Sequence, residues 1–164
     1  MSRLRNITFA ALFAVTAFAL THNAAASPQA DSTSIARGRY IAKIAGCNDC
    51  HTAVYAPSGG KVPEKEWLMG DALGWRGDWG TTYPSNLRIT LAKLSEDEWV
   101  RTAKTMQARP PMPWFALHDM TEQDLRAFYR FVRQLGPTGD PAPSYLPPGA
   151  AAQGPVIQFP AAPK

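Results

Sequence analysis

The sequence predicts an all-α domain in which three main helices are joined by long loops. Apolar residues recur at helical spacing in three segments, at residues 34–45, 95–109 and 121–135. The segment 52–91 repeats neither the helical period nor the alternation of a strand, and glycines and prolines interrupt it throughout. A chain of 164 residues accommodates one domain with appendages, which excludes a catalytic α/β barrel or two full cores.

Residues 1–26 are typical of a bacterial secretory signal peptide. Arg3 and Arg5 precede an apolar run from Ile7 to Leu20, and a stretch of small residues ending at Ala26 follows. The apolar run is shorter than the roughly 20 residues that a bilayer core requires, so a transmembrane anchor is disfavoured. We therefore expect cleavage after Ala26 and a periplasmic protein, which would be associated with the membrane only if this segment stayed uncleaved.

The first main helix is predicted to begin at Ser34 and to end at Gly46. A motif of high information follows directly at residues 47–51, Cys-Asn-Asp-Cys-His. Two thiols about one helical turn apart can each add to a vinyl group of a porphyrin, and an imidazole directly after them can bind the iron. The motif predicts one covalently attached haem c per chain, bound through Cys47, Cys50 and His51.

Two other functions use a pair of cysteines at this spacing. A thioredoxin-like dithiol would directly follow a strand, within a β-α-β unit. A zinc site would require a second pair of ligands elsewhere, and the chain contains no further cysteine. Both readings are less favoured than haem attachment.

The segment 52–91 is predicted to be a long loop with at most short helical turns. A structureless connection of this length would normally count against a compact domain. A haem removes this objection, because its large apolar faces give the loop side chains a surface to pack against.

Capping signals mark the starts of the second and third main helices. Ser95 and Glu98 form a capping box, and this helix is expected to end before Pro110. The third helix is predicted to begin at Thr121, and its apolar residues recur as far as Leu135. A glycine and a proline directly after Leu135 are the expected end of a helix.

The last 28 residues, 137–164, contain eight of the fifteen prolines and almost no charge. Such a composition forms neither a helix nor a central strand. We expect an ordered beginning at 137–148, because Tyr145 and Leu146 can dock on the core, followed by a loose end. The predicted organisation is therefore a signal peptide at 1–26, a haem-binding domain at 27–136 and a proline-rich tail at 137–164.

The sixth ligand of the iron determines which function a haem would serve. A methionine gives an electron carrier, a second histidine gives a carrier of lower potential, and an open position gives a ligand-binding site. Met112 is the favoured ligand, because the prolines on both sides fix its backbone in an extended form. The other candidates that stay open are Met69, Met106, Met120 and His118.

The order of helix, attachment motif, loop, Met-Pro motif and aromatic C-terminal helix resembles the class I cytochromes c. Between residues 35 and 135 the chain is more closely similar to the cytochrome c subunits of periplasmic alcohol and sugar-acid dehydrogenases. The segments that carry this resemblance are Gly38-Arg39-Tyr40, the motif at 47–51 with Thr52, Asn86, Met112-Pro113-Trp114 and residues 124–128. Those subunits usually carry several such domains and usually read Asn-Ile-Thr-Pro where this chain reads Asn-Leu-Arg-Ile at 86–89.

The resemblance implies a cytochrome c-like fold whose first and last helices cross near Gly38 and the pair Phe128 and Tyr129. Its single haem would have His51 and Met112 as axial ligands. The chain would then transfer one electron between a dehydrogenase and a downstream acceptor, and it would be an electron-transfer protein and no enzyme. Four residues are candidates to line the propionate side or the methionine loop: Trp75, Trp79, Tyr83 and Asn86.

Redox proteins are the expected partners, with neither a nucleic acid nor a small-molecule substrate. Removal of Arg3 and Arg5 with the signal peptide lowers the formal net charge from +4 to +2, and two haem propionates would nearly cancel this charge, so strong long-range steering is not expected. The alternative functions are a five-coordinate haem sensor, a peroxidase-type enzyme, or a docking module whose tail binds a partner. Cytochrome c′ gas binders carry the motif near the C-terminus, however, and dihaem peroxidases need a second motif.

Overall fold

The computed structural model describes residues 28–160, so the predicted signal peptide at 1–26 lies outside the described residues. The helices are α1 (Pro28–Ile44), α2 (Cys47–His51), α3 (Leu87–Leu91), α4 (Glu96–Thr105), α5 (Trp114–Asp119) and α6 (Glu122–Leu135). A 3₁₀ turn lies at Glu64–Glu66, and the strands are β1 (Gly74–Gly77), β2 (Gly80–Thr82) and β3 (Val156–Gln158). Within residues 28–160, no helix combines the length and the apolar character needed to cross a bilayer.

The three predicted main helices are present as α1, α4 and α6. The α4 capping box is formed, because the Ser95 hydroxyl accepts from the Glu98 backbone N–H and the Glu98 carboxylate accepts from the Ser95 backbone N–H. Thr121 caps α6 in the predicted way. α1 begins at Pro28 rather than Ser34, and proline fits the first turn of a helix because the N–H it lacks has no partner there.

The crossing of α1 and α6 is the main helix contact of the body. Gly38 lies against the backbone of α6, where an added Cβ would stand only 2.0 Å from the carbonyl oxygen of Ala127. A glycine is therefore required for the two helices to approach this closely. This agrees with the predicted crossing near Gly38, and Ala127, the neighbour of the aromatic pair, lies at the contact.

A buried arginine connects the short helix α3 to the end of α6. The Arg88 guanidinium donates to the carbonyl oxygens of Gly136 at 2.6 Å and Lys65 at 2.7 Å, and also to that of Leu135. A cation is favourable at this place because the last carbonyls of a helix have no partner within the helix. Burial lowers the pKa of Arg88. The arginine in the segment 86–89 thus closes the C-terminus of α6.

The all-α prediction needs a correction, because the mostly helical body also contains a small sheet in the order β2-β1-β3. β1 pairs antiparallel with β2, Trp75 opposite Thr82, and parallel with β3, Trp75 opposite Ile157. These strands are three or four residues long, which is too short for an alternating pattern to be recognised. Backbone pairing, which leaves little trace in the sequence, forms them.

The proline-rich tail lies along the hairpin of β1 and β2. Tyr145 and Leu146 dock on this hairpin and not on the core as predicted: the Tyr145 hydroxyl donates to the Trp79 carbonyl at 2.8 Å, and Leu146 exchanges two backbone hydrogen bonds with Thr81. The prediction of a loose end is wrong for residues 149–160, which include β3. β3 is an edge strand, the position that prolines around a strand permit.

Replacement of Gly38 by alanine is expected to destabilise the protein by about 2 kcal/mol or more, because the added methyl group forces α1 and α6 apart. The free energy of unfolding in urea measures this loss. Gly154→Ala is the matched control, since its Cβ would meet only the Ala72 carbonyl oxygen at an ordinary 3.8 Å. The control should change stability by less than about 0.5 kcal/mol. Equal losses in the two variants would contradict the close crossing.

Candidate haem-binding site

One cavity of about 720 Å³ lies between α2, the loop 82–87, and the segment from Met106 to Met120. It contains all four residues predicted from the sequence, Cys47, Cys50, His51 and Met112. Its volume falls within the roughly 300–1,000 Å³ typical of clefts that bind cofactors. The structure therefore brings together side chains that are more than sixty residues apart in the sequence.

The short helix α2 presents the attachment motif to this cavity. Gly46, with φ 72°, separates α2 from α1 and turns the chain between them. Cys47 and Cys50 are one helical turn apart and both line the cavity. Burial raises the pKa of the Cys47 thiol to about 12 and also raises that of Cys50. A thioredoxin-like dithiol has a lowered thiol pKa, so this environment disfavours disulfide exchange.

The His51 side chain is buried, and its orientation is fixed by one hydrogen bond. Its Nδ1 lies 2.7 Å from the carbonyl oxygen of Ser85, which can only accept, so Nδ1 carries the proton. The lone pair of the neutral ring is then on Nε2, and burial lowers the pKa of His51. A metal-binding histidine usually donates a hydrogen bond from its other ring nitrogen to a carbonyl or carboxylate oxygen.

Backbone contacts fix the position of Ser85 relative to α2. The backbone N–H of Gly70 donates to the His51 carbonyl at 2.8 Å. A Cβ at Gly70 would stand 2.8 Å from both the Asn86 nitrogen and the Pro84 oxygen, so the loops around 70 and 85 are in close contact. Asn86 caps α3 through its Oδ1, and its Nδ2 donates to the Thr138 carbonyl at 2.8 Å. Asn86 thus lies behind the cavity and does not line it.

A buried hydroxyl connects α2 to the loop that follows it. The Thr52 hydroxyl donates to Asn48 Oδ1 at 2.8 Å and accepts from the Leu68 backbone N–H at 2.8 Å. All three residues are almost fully buried. Water cannot replace these hydrogen bonds, so Thr52 stabilises the turn that carries the motif.

The structure reduces the set of candidates for a sixth ligand. Met106, Met112 and Met120 line the cavity, whereas Met69 and His118 do not. The Met69 sulfur lies beside Gly139 in the tail, 3.5 Å from the position that a Cβ atom at residue 139 would occupy. His118 bonds through Nε2 to the Met106 carbonyl at 2.9 Å and lies against Trp114. The choice of Met112 among the three methionines stays a prediction.

Aromatic and apolar side chains form most of the remaining lining. Trp75 and Tyr83, both suggested by the sequence, line the cavity, while Trp79 packs against Phe159 outside it. Trp99, Phe128 and Arg109 also line the cavity, although the sequence did not mark them as site residues. The first two read as ordinary core positions of amphipathic helices, and Arg109 carried only its closeness to Met112 as a signal.

The lining residues fit a haem. They combine an apolar cavity of suitable volume, two thiols one helical turn apart, a neutral imidazole with a free nitrogen, and thioether sulfurs. Among residues 28–160, no group of three or more His, Cys, Asp or Glu side chains lies close enough together to bind a metal ion directly. Besides the two thiols, the lining offers one imidazole and three thioether sulfurs, which are donor types that bind haem iron in proteins.

Comparison with known proteins gives two distant relatives. The chain is 30% identical over 158 residues to the cytochrome c subunits of the quinone alcohol dehydrogenases of Gluconacetobacter polyoxogenes and Komagataeibacter europaeus. The match covers 86% of this chain and 30% of each relative, so the chain spans less than a third of their length. No family model matches the chain, and no solved structure is significantly similar to it. The similarity supports a cytochrome c-like chain without singling out class I.

Thr52→Val removes the buried hydroxyl at nearly constant volume and is expected to destabilise the protein by about 2 kcal/mol or more. The reason is that the Asn48 oxygen and the Leu68 N–H lose their partner. Urea unfolding of the purified protein measures the loss. Thr52→Ser keeps the hydroxyl and should cost about 1 kcal/mol for the missing methyl group. A serine variant less stable than the valine variant would show that the hydroxyl contributes little.

Proposed function

We propose that this chain is a c-type cytochrome that transfers one electron between a dehydrogenase and a downstream acceptor in the bacterial periplasm. Cys47 and Cys50 would attach one haem, and His51 and Met112 would be its axial ligands. The observation that carries the proposal is that the attachment motif and three methionines line the same largely apolar cavity. The similarity to cytochrome c subunits supports it.

The residues of the cavity have separate tasks. The thiols of Cys47 and Cys50 provide the sulfurs for thioether bonds, and His51 offers Nε2 while Ser85 fixes its ring. A haem bound there supplies a one-electron couple between ferrous and ferric iron. A methionine sulfur is a soft donor, so it stabilises ferrous iron more than a second imidazole would and gives a higher reduction potential. The apolar lining acts in the same direction, because it disfavours additional positive charge.

The cavity reaches the protein surface, which suits electron transfer without binding of a substrate. Several lining residues are also exposed to solvent, namely Ala45, Gln107, Pro113 and Ala116. A redox partner can therefore approach the cavity from this side, while the ligands inside remain fixed. We infer an electron carrier that acts with a dehydrogenase and catalyses no reaction of its own. The relatives are by name subunits of a quinone alcohol dehydrogenase, which supports a dehydrogenase as the redox partner of this chain.

Met112→Ala is expected to abolish the weak charge-transfer band that a ferric haem shows with a thioether ligand, and to lower the reduction potential. Absorption spectroscopy and potentiometric titration of the periplasmically matured protein measure both. Met106→Ala and Met120→Ala are matched controls, because the same side chain is removed from the same cavity. Both controls should keep the band.

The outcomes separate the ligand assignment from the function. Loss of the band in one of the controls instead would make that methionine the ligand and leave electron transfer intact. A wild-type protein with haem but without the band would favour the five-coordinate sensor or peroxidase-type alternative. A preparation without covalently bound haem would overturn the proposed function.

A further inference from the structure

We propose that Arg109 binds a propionate of the haem and that Tyr145, in the proline-rich tail, positions the Arg109 guanidinium for this contact. The inference rests on the proposed function, because it requires a haem in the cavity. It assigns a task to the tail: residues 137–160 would form part of the cofactor site through Tyr145.

Arg109 is the residue in the cavity lining whose charge is suited to a haem propionate. Among the described residues that line the cavity, it is the one Lys, Arg, Asp or Glu side chain. The propionates of a haem are carboxylates, and a carboxylate at an apolar cavity is costly unless a cation or hydrogen-bond donors compensate it. Arg109 is exposed and lies just before the Pro-Pro-Met segment, so its charge stands where the cavity meets solvent.

The Arg109 guanidinium is oriented but keeps its donors free. Its central carbon lies 3.8 Å from the centroid of the Tyr145 ring, which is a close cation–π contact. Stacking of this kind uses the flat face of the guanidinium and leaves the N–H groups in its plane for a carboxylate. Within the described part of the chain, the Arg109 side chain has neither an ion pair nor a hydrogen bond.

Tyr145 is itself held on the hairpin. Its hydroxyl donates to the Trp79 carbonyl at 2.8 Å, and the next residue, Leu146, bonds Thr81 through backbone contacts of 2.8 and 3.0 Å. The same hairpin contributes Trp75 and Thr82 to the cavity lining. The tail, the hairpin and Arg109 therefore meet at one edge of the cavity, and Tyr145 connects them.

The first test compares two arginine-to-glutamine variants of the matured, haem-loaded protein by potentiometric titration. Arg109→Gln is expected to lower the reduction potential by about 59 mV or more, which is a tenfold shift of the one-electron equilibrium. The reason is that an uncompensated propionate favours ferric iron. Arg101→Gln removes the same charge from an exposed position outside the cavity, and should shift the equilibrium by less than about threefold. Arg109→Lys, which keeps the charge, should restore most of the potential.

The second test concerns the positioning by Tyr145. Tyr145→Ala is expected to lower the potential in the same direction as Arg109→Gln, and the double variant should lower it no further than Arg109→Gln alone. Tyr145→Phe keeps the ring but loses the hydroxyl bond to Trp79, and should leave the potential unchanged. A purely structural role of Tyr145 would show as a lower melting temperature with an unchanged potential in Tyr145→Ala.

Equal potentials of Arg109→Gln and wild type, or equal shifts in Arg109→Gln and Arg101→Gln, would overturn this proposal. Additive shifts in the double variant would overturn the positioning role of Tyr145. A pyridine haemochrome assay on each variant shows whether the haem is attached. If wild type contains covalent haem and the potential does not respond to Arg109, the further inference fails while the proposed function stands. If wild type contains none, the proposed function fails.

Discussion

The hydrogen bond between His51 Nδ1 and the Ser85 carbonyl is the constraint on which the arrangement of the cavity depends. It connects the attachment motif on α2 with a loop more than thirty residues later. That loop is fixed in turn by Gly70 on one side and by Asn86 on the other. One ring orientation therefore follows from the packing of several irregular segments. A change that moves the loop would turn the imidazole even though the motif stays intact.

The hairpin and the loops line the cavity together with the helices. α4 and α6 supply the apolar floor through Trp99 and Phe128, and these would form an ordinary core in any helical protein. α2 carries the two thiols and the imidazole, while the hairpin, the loop 82–87 and the segment around Met112 supply the remaining polar and thioether groups of the lining. The tail supports the hairpin from outside through β3 and Tyr145. The prolines of the tail suit this task, because they keep an edge segment extended.

The helices were predictable because their signals are local. The capping box at Ser95 and the cap at Thr121 each depend on residues within one turn, and the apolar spacing of α6 depends on one continuous segment. β3 depends on backbone pairing with β1, a segment about eighty residues earlier in the chain. Side-chain patterns in strands of three or four residues carry no such information. The sequence does not indicate α5 either, because a helix of six residues is too short for apolar residues to recur at helical spacing. It follows the prolines at 110, 111 and 113.

The sequence by itself determined the spacing of two thiols and an imidazole, since this is a property of five consecutive residues, and that spacing predicts haem attachment. It also gives five candidates for the predicted sixth ligand, with Met112 favoured by its flanking prolines. Only the tertiary structure decided that Met69 and His118 lie outside the cavity, and that the Ser85 carbonyl orients His51. It alone placed Arg109 against Tyr145. The physical reason is distance along the chain: local geometry follows from neighbouring residues, whereas a cavity is formed by segments that meet only after folding.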